Sequence, residues 1–556
     1  MLSRARWIAL SFVLAAMPTV GAKDPLEAGK LAELIDGIRT EATRSNNGPG
    51  GRPLPLVAHW NRGSKPTGFS PVYQMELIRA GHHLMPWFEF PRPNATPEKS
   101  RYYSGEYLKA FKEVAELKLP FTLVGTQWEM ILGKSKYPGG PYKWKALPPE
   151  ENPLVINLEG EIDPRKGISP FGPTKPWEEV GKVWVDSPLM KQLQTWYPDP
   201  PLVIFLSNNE AHTLRWKKRG DLETISKRYL DKYGKGQSND FKRKVVGDGW
   251  IERYKALFAR MREGLEAPAW KDNVRFVGYG VVGPMHMGRW SGWPVYSLHC
   301  KGRICPGPYA WDGGSPSYYT HNWDASTDFR VHGPQISFMN GVMILRRLYR
   351  DRPDFWWEFS VWDGNAPGKK NDKWVFYEKH GGKYTPERHG SYVEFGMWLT
   401  RPRLVRPWRG YLDTRERVGA YFEAIVKVVD RVWADPVLTR FWRKGKLVPN
   451  RVHEHPYQVG IPRWLQDEDR WYLLDTNLDP KRPWKLDTEI PVFSLAYVMG
   501  KVGDREWLVY ARSPLQNRSG VQITIPAYKA IKVDVPIDGA FYHVAEASGR
   551  IVPVGR

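Results

Sequence analysis

The chain has 556 residues, of which 41% are hydrophobic and 26% are charged. A chain of this length is usually too long for one hydrophobic core, so we expect one large domain and one smaller domain. Lys and Arg outnumber Asp and Glu by 82 to 60, for a formal net charge of +22, and the excess is spread along the chain. Such a charge favours contact with polyanions, although it also serves solubility alone.

The first residues have the pattern of a secretory signal. Arg4 and Arg6 precede an apolar run over residues 7–17, and Val20-Gly21-Ala22 offers a small-residue cleavage site. We therefore predict a signal peptide over residues 1–22 and a secreted or periplasmic protein. No later stretch approaches the ~20 apolar residues of a membrane helix, so we expect no membrane association. We also expect an acidic or sulfated glycan, and no nucleic acid, as the polyanionic partner.

Cys300 and Cys305 are the two cysteines of the chain, and both lie in the polar sequence that begins at His299. In an oxidising compartment we expect a short-loop disulfide between them. Free thiols and a metal site are the alternatives. Two thiols and one histidine make a poor ligand set for a metal, and we predict no metal site.

Short apolar runs alternate with helical patterns over most of the chain. This alternation predicts an α/β protein with a parallel sheet. There are eight such runs, the number of strands in a (β/α)8 TIM barrel. The predicted strands cover residues 54–60, 84–90, 121–128, 202–207, 274–281, 317–323, 355–359 and 392–398.

Apolar residues at three- and four-residue spacing predict helices over 106–117, 250–265, 335–349 and 415–433. Long insertions rich in Pro, Gly, Trp and Lys, at 133–186 and 284–312, are expected to wall a groove. From residue 453 the chain changes to short alternating runs, at 507–511, 521–525 and 531–535. We predict a catalytic barrel over residues 23–452 and a small C-terminal β-sandwich over residues 453–556.

A polar cluster directly follows the fourth predicted strand. Residues 202–206 are apolar, and Ser207-Asn208-Asn209-Glu210 comes next. Enzymes with a TIM barrel carry their catalytic groups at such carboxyl ends of strands. A glutamate there can act as general acid and then general base. The alternative is a structural carboxylate paired with Arg215 or His212.

Glu358, in the seventh predicted strand, is the candidate for a second carboxylate. In a retaining glycosidase two carboxyl groups stand ~5–5.5 Å apart, one as nucleophile and one as proton donor. Glu394, in the eighth predicted strand, is the main rival of Glu358, with Glu89 and Glu129 behind it.

With these two carboxylates the chain resembles the retaining (β/α)-barrel glycoside hydrolases of clan A. Their acid/base is the glutamate of an Asn-Glu pair after the fourth strand, and their nucleophile is a glutamate that ends the seventh. The resemblance covers roughly residues 54–398 and assigns Glu210 as acid/base, with Asn209 beside it, and Glu358 as nucleophile. A C-terminal β domain and many basic and aromatic residues make the chain look most like hydrolases of algal galactans, namely agarases, porphyranases and carrageenases.

Aromatic residues are abundant, with 27 Trp and 27 Tyr, and flat rings can stack on sugars. Several aromatic and histidine side chains fall at or just past predicted strand ends, where either substrate contact or ordinary packing would explain them. Tyr318 or His321 would also be placed to hydrogen-bond the nucleophile. The candidate substrate-binding residues are His59, Trp60, Trp128, Asn209, His286, Tyr318, His321, Trp323, Trp362 and Trp398.

The expected function is hydrolysis of a β-linked polysaccharide, an algal galactan with or without sulfate, and this chemistry implies no cofactor. Arg and Lys in the insertions are candidates for binding sulfate or carboxylate groups: Lys134, Lys136, Lys143, Lys145, Arg289 and Arg303. A polysaccharide lyase and a non-catalytic glycan-binding protein on a barrel scaffold remain alternatives.

Overall fold

The computed structural model describes the chain in segments. These are residues 51–59, 70–125, 128–133, 147–207, 222–279, 307–316, 351–361, 384–407, 415–449 and 492–555, with the shorter pieces 281, 318, 342, 345, 348–349 and 473–474. The predicted signal peptide lies outside them.

The largest element is a curled sheet of eight parallel strands. Its spatial order is β1-β10-β9-β8-β7-β6-β3-β2, and every neighbouring pair is parallel. The strands are β1 (Leu56–Val57), β2 (Trp87–Glu89), β3 (Phe121–Gly125), β6 (Val203–Ser207), β7 (Val274–Gly278), β8 (Gly313–Gly314), β9 (Trp356–Val361) and β10 (Leu404–Pro407). A separate antiparallel hairpin pairs β4 (Leu154–Ile156) with β5 (Ile162–Ile168).

Helices connect the strands and cover the outer face of the sheet, as parallel strands require. The longest, Asn239–Gly264, sets Phe258 against Phe276 of β7 with ring centroids 4.5 Å apart. None of the described helices is long and apolar enough to cross a membrane. The others are Pro71–Arg79, Gly105–Glu116, Met130–Gly133, Lys175–Val185, Pro188–Trp196, Leu222–Ile225, Lys227–Tyr233, Pro268–Asn273, Gly307–Ala310, Pro386–Thr400, Arg415–Ala434 and Pro436–Lys444, with 3₁₀ turns at Pro97–Lys99 and Pro149–Glu151.

Six of the eight predicted strands contain or overlap a strand of this sheet, namely those at 54–60, 84–90, 121–128, 202–207, 274–281 and 355–359. The helices predicted at 106–117, 250–265 and 415–433 are also present. Of the helix predicted at 335–349, the described positions 342, 345, 348 and 349 are helical. The coarse prediction, alternating strands and helices around a parallel sheet, is therefore confirmed.

The eighth predicted strand is wrong. Residues 392–398 belong to the Pro386–Thr400 helix, and the last strand of the sheet is β10. This helix is buried at every position from Arg388 to Thr400. A helix that is buried all round has no exposed polar face to give a 3.6-residue periodicity, so its apolar run is easily taken for a buried strand. Thr385, whose side chain caps the helix, and Pro386 at its first turn were the overlooked signals.

The sixth strand also differs from its prediction. It is β8, made of Gly313 and Gly314, whereas of the predicted segment 317–323 the structure describes only Tyr318. Two glycines carry no strand signal, yet close packing requires them here. A Cβ on Gly313 would lie 2.5 Å from the carbonyl oxygen of Trp356, which real Cβ atoms do not approach.

The C-terminal part of the chain is antiparallel. One sheet has the order β11-β13-β14-β17-β18, with β12 also paired to β13, and a separate two-stranded sheet pairs β15 with β16. The strands are β11 (Lys446–Leu447), β12 (Leu473–Leu474), β13 (Phe493–Met499), β14 (Glu506–Arg512), β15 (Arg518–Thr524), β16 (Ala530–Val535), β17 (Ala540–Ala545) and β18 (Ile551–Val554). This region was predicted to begin at residue 453. β11 lies before that residue and nevertheless pairs with β13 of the antiparallel sheet.

The two ends of the curled sheet approach each other beside one carboxylate. Backbone hydrogen bonds join Val57 of β1 to His83 and Met85, just before β2. Asp430, on the Arg415–Ala434 helix, lies 2.7 Å from Nδ1 of His82 and 2.8 Å from Nδ1 of His83, and it accepts the His83 backbone N–H. Burial tends to raise the pKa of Asp430, but the hydrogen bonds from His83 and His82 outweigh it and hold the pKa below its usual value.

Asp430→Asn should lower the free energy of unfolding by about 1–3 kcal/mol at pH 7, because charge-assisted hydrogen bonds to two histidines are weakened. A carboxylate with a lowered folded-state pKa stabilises above its unfolded pKa, and this contribution disappears as pH falls through the folded value. The gap between variant and wild type should therefore shrink below about pH 4. Urea denaturation followed by tryptophan fluorescence measures it, with exposed Asp504→Asn as the control. A gap that stays constant down to pH 3 contradicts the assignment.

Candidate functional site

All strands of the curled sheet are parallel, so their carboxyl ends meet along one edge. In chain order β6 is the fourth strand of the sheet and β9 is the seventh. The two strands predicted to position the catalytic carboxylates therefore have the expected rank. Glu358, expected to end its strand, lies instead three residues before the last residue of β9, Val361. Ser207 ends β6, three residues before Glu210 in the sequence.

Many predicted site residues lie outside the described residues. They are Trp60, Asn209, Glu210, His286, Cys300, Cys305, His321, Trp323 and Trp362, together with the basic residues of the insertions, Lys134, Lys136, Lys143, Lys145, Arg289 and Arg303. Those described are His59, Trp128, Tyr318, Glu358 and Trp398.

Glu358 lies inside the curl of the sheet. It is the third of the six residues of β9, and its side chain is fully buried. One carboxylate oxygen accepts from the indole N–H of Trp356 at 3.1 Å, and the other accepts from Nε of Arg406 on β10. Arg406 is equally buried. The carboxylate is thus held in a defined orientation by two donors on neighbouring strands.

Arg406 extends this contact across the interior. Its Nη1 donates to the backbone oxygen of His59, at 3.2 Å, and its Nη2 donates to the hydroxyl of Thr122 on β3, at 3.3 Å. β10 and β3 stand second and seventh in the spatial order of the strands, so this bond spans the curl. Sequence reasoning missed Arg406. The sequence offered one signal, a single arginine among apolar residues. Because a buried charge is paired, such an arginine indicates a buried carboxylate partner.

His59 lies just past β1 and takes part in the same region. Its ring stacks on Trp87 of β2 at 5.6 Å and meets Phe422 edge-on at 5.8 Å. The side chain is almost fully buried. His59 is therefore part of the packing at the junction of β1 and β2, and its carbonyl oxygen supports Arg406.

Trp128 and Tyr318 are buried as well. Trp128 follows β3 and stacks on Trp311 at 6.1 Å, on the helix-covered side of the sheet. Tyr318 receives a hydrogen bond from Tyr392 on its backbone oxygen, and burial raises the pKa of its phenol. Both side chains are almost fully buried in the described structure, and their role as substrate contacts stays a prediction.

Trp398 and Glu394 are not at a strand end. Both lie on the Pro386–Thr400 helix. Trp398 packs edge-on against Trp442, Tyr497 and Phe541 between the helix and the C-terminal sheet. Glu394 is fully buried and pairs with Arg431 at 3.2 Å. The strand-end position on which the prediction of Trp398 as a substrate contact rested is therefore wrong. Glu394 likewise loses the strand-end position that made it the rival of Glu358.

Glu129 is a buried acid close to the carboxyl end of β3. Its Oε1 accepts from the Tyr254 hydroxyl at 3.1 Å, and among the described residues its Oε2 has no hydrogen-bond partner. Burial raises its pKa from 4.5 to about 7, although hydrogen bonds from its own backbone and from Tyr254 oppose the change. Glu129 is therefore the described carboxyl group at this edge best suited to carry a proton near neutral pH.

The described residues contain no group of three or more His, Cys, Asp or Glu side chains that could hold a metal ion.

No protein-family model matches the chain, and no curated protein matches it in sequence. Among solved structures it resembles a β-galactosidase from the psychrophilic Marinomonas ef1, at 10% identity and a TM-score of 0.38. The match covers 68% of this chain and 60% of that protein. The chain therefore spans less than two thirds of the length of this neighbour, and so weak a likeness indicates no activity.

Arg406→Met should lower the free energy of unfolding by about 3–5 kcal/mol, because it leaves the Glu358 carboxylate buried without its cation. Chemical denaturation at pH 7 measures the loss. Partly exposed Arg260→Met, on the Asn239–Gly264 helix, is the control and should change stability by less than about 0.5 kcal/mol. A loss below about 1 kcal/mol for Arg406→Met would show that the pair does not hold the interior together.

Glu129→Gln should change how stability depends on pH. Because the folded-state pKa is raised, wild type binds a proton that the unfolded chain releases between about pH 4.5 and pH 7, and its stability falls as pH rises through that window. The variant lacks this proton. Its free energy of unfolding relative to wild type should be higher at pH 8 than at pH 5 by about 2 kcal/mol. Parallel curves for the two proteins, measured by denaturation at both pH values, would exclude the raised pKa.

Proposed function

We propose that this protein is a retaining glycoside hydrolase that cleaves β-glycosidic bonds of a polysaccharide. The supporting observation is the rank of two strands. β6 and β9 are the fourth and seventh parallel strands of the curled sheet, Glu358 lies within β9, and Glu210 follows β6 by three residues. The ranks of these two strands match those in the clan that the sequence resembles, although Glu358 is the third of the six residues of β9 and does not end the strand.

The sheet in this proposal is a closed (β/α)8 barrel. The bonds from Val57 to His83 and Met85, with the bridge between Val57 and Leu84, support closure because they join the two ends of the eight-stranded order. The Arg406–Thr122 bond supports it as well, because it needs β10 and β3 to face each other. Glu210 follows the end of β6 by three residues in the sequence, and in this proposal it lies at the mouth of the barrel.

The proposed mechanism is double displacement. The carboxylate of Glu358 forms a bond to the anomeric carbon while the bond to the leaving oxygen breaks, and Glu210 gives that oxygen its proton. Glu210 then takes a proton from water, whose oxygen attacks the anomeric carbon and releases Glu358. Trp356 and Arg406 would hold the nucleophile in position, as their hydrogen bonds to it do in the described structure.

The proposed substrate is an algal galactan of the agarose, porphyran or carrageenan type, and the proposed location is outside the cytoplasm. The net charge of +22 and the abundance of Trp and Tyr support the first, and the signal-like residues 1–22 support the second. We also propose the division into a barrel over residues 23–452 and a β domain over residues 453–556, with β11 as a strand that the barrel segment contributes to the second domain.

One observation favours a second candidate, a glycan-binding protein without hydrolase activity. Glu358 has no accessible surface, and both of its oxygens already accept hydrogen bonds. A carboxylate in that state serves equally well as half of a structural ion pair. The barrel would then carry a sugar-binding edge and no nucleophile on β9.

The decisive experiment compares wild type, Glu210→Gln and Glu358→Gln on agarose, porphyran, carrageenans and uronate-bearing glycans, with separation of the products. Loss of the nucleophile or of the acid/base should lower kcat/KM at least about 10³-fold on the substrate that wild type cleaves. Exposed Glu116→Gln, at the end of the Gly105–Glu116 helix, is the matched control and should keep full activity.

Three other results would indicate a different function of the protein or a different role of Glu358. Unsaturated products from wild type would indicate a lyase. Activity that survives Glu358→Gln would make Glu358 a structural residue, and binding without products from any glycan would favour the glycan-binding candidate. Thermal denaturation of each variant shows whether an inactive protein is still folded.

A further inference from the structure

A pocket of about 310 Å³ opens beside the carboxyl end of β2. Its size is in the range of small-ligand sites and suits one sugar unit. Glu89, the last residue of β2, forms part of its floor, the chain that follows β2 forms its walls, and Leu189 of the Pro188–Trp196 helix completes the lining.

The walls of this pocket are tied down by hydrogen bonds. The hydroxyl of Tyr103 donates to the backbone oxygen of Glu89 at 2.6 Å. The backbone N–H of Leu189 donates to the backbone oxygen of Ala95 at 2.9 Å. The first bond closes the loop after β2, and the second fixes it to the neighbouring helix. A pocket built in this way exists before a ligand arrives, so a ligand loses less free energy in ordering it.

The charge of the lining is one-sided. Arg92, Lys99 and Arg101 are exposed at the pocket, and Glu89, largely buried, is its only acidic residue. Within the part of the chain that the structure describes, the side chains of Arg92 and Lys99 make no hydrogen bond or ion pair. The charge of Arg92 is therefore available to an anion that enters the pocket, whereas Lys99 also acts on the neighbouring Glu98 carboxylate.

Arg101 is already positioned. Its guanidinium carbon lies 4.9 Å from the centre of the Tyr102 ring, and its Nη2 donates to the Tyr102 hydroxyl at 2.9 Å. Held in this way, the planar guanidinium loses less side-chain entropy when it binds an oxyanion in a bidentate manner. Its remaining N–H groups can donate to the oxygens of a carboxylate or a sulfate.

We propose that this pocket binds a sugar unit that carries a carboxylate or sulfate group. Arg92 and Arg101 bind the anionic group, Lys99 adds positive charge, and Glu89 accepts hydrogen bonds from the ring hydroxyls. The inference rests on the proposed function, because the pocket lies at the edge of the sheet where cleavage of a glycan is proposed. It narrows the substrate to polysaccharides with acidic units.

The test is binding of monosaccharides, measured by ligand-observed NMR and calorimetry at low salt. The probes are galacturonic acid, galactose 6-sulfate, neutral galactose and inorganic sulfate. The protein is full-length wild type, the double variant Arg92→Gln/Arg101→Gln, and the control Lys501→Gln/Lys532→Gln, which removes the same charge from exposed positions of the C-terminal sheets. Monosaccharides have no glycosidic bond to cleave, so the result does not depend on hydrolysis.

We expect at least one acidic sugar to bind about tenfold more tightly than galactose, and the double variant, but not the control, to lose about tenfold of that affinity. The preferred probe distinguishes a carboxylate site from a sulfate site. Equal binding of galactose, or an unchanged double variant, overturns the proposal. Inorganic sulfate that binds as tightly as galactose 6-sulfate also overturns it, because the pocket would then recognise an ion alone. If the protein hydrolyses a glycan but binds no acidic monosaccharide, the pocket proposal is refuted and the proposed hydrolase activity is not. If it binds an acidic monosaccharide but hydrolyses no glycan, only the proposed hydrolase activity is refuted.

Discussion

The interior of the curled sheet depends on one buried guanidinium. Arg406 on β10 binds the carboxylate of Glu358 on β9, the carbonyl oxygen of His59 after β1 and the hydroxyl of Thr122 on β3. Removing these charged groups from water costs several kcal/mol for each ion, which only a well-satisfied network offsets. The network therefore specifies how far the sheet curls, because the bonds form only when strands from opposite sides of the order face each other.

The pairing of Arg406 with Glu358 also determines which chemistry is available at β9. A carboxylate held by Trp356 and Arg406 has its orientation fixed before a substrate arrives, which is what a nucleophile requires. It is also what a structural ion pair requires, so geometry and burial alone describe both roles equally. Glu89, the last residue of β2, and Glu129, four residues past the end of β3, are further carboxyl groups near the carboxyl ends of described strands.

The Pro386–Thr400 helix connects the curled sheet to the C-terminal sheet. The hydroxyl of Tyr510 on β14 donates to the backbone oxygen of Ser391, Arg388 donates to the backbone oxygen of Leu515, and Phe395 packs against Phe493 of β13. Glu394 sits in this buried contact, where burial raises its pKa to about 7 against the opposing charge of Arg431. The C-terminal strands thus help to bury a helix whose residues from Arg388 to Thr400 are all buried.

The sequence by itself determined the alternation of strands and helices, the ranks of β6 and β9 and the β character of the C-terminal region, because each rests on local patterns of apolar and turn residues. It did not determine that residues 392–398 are helical, because burial on all sides removes the periodicity that separates a helix from a strand. It also did not determine β8, because Gly313 is required by the nearness of Trp356 and by no local propensity. The Arg406 network and the pocket beside β2 were decided only by the tertiary structure, since their contacts join side chains from segments far apart in the chain.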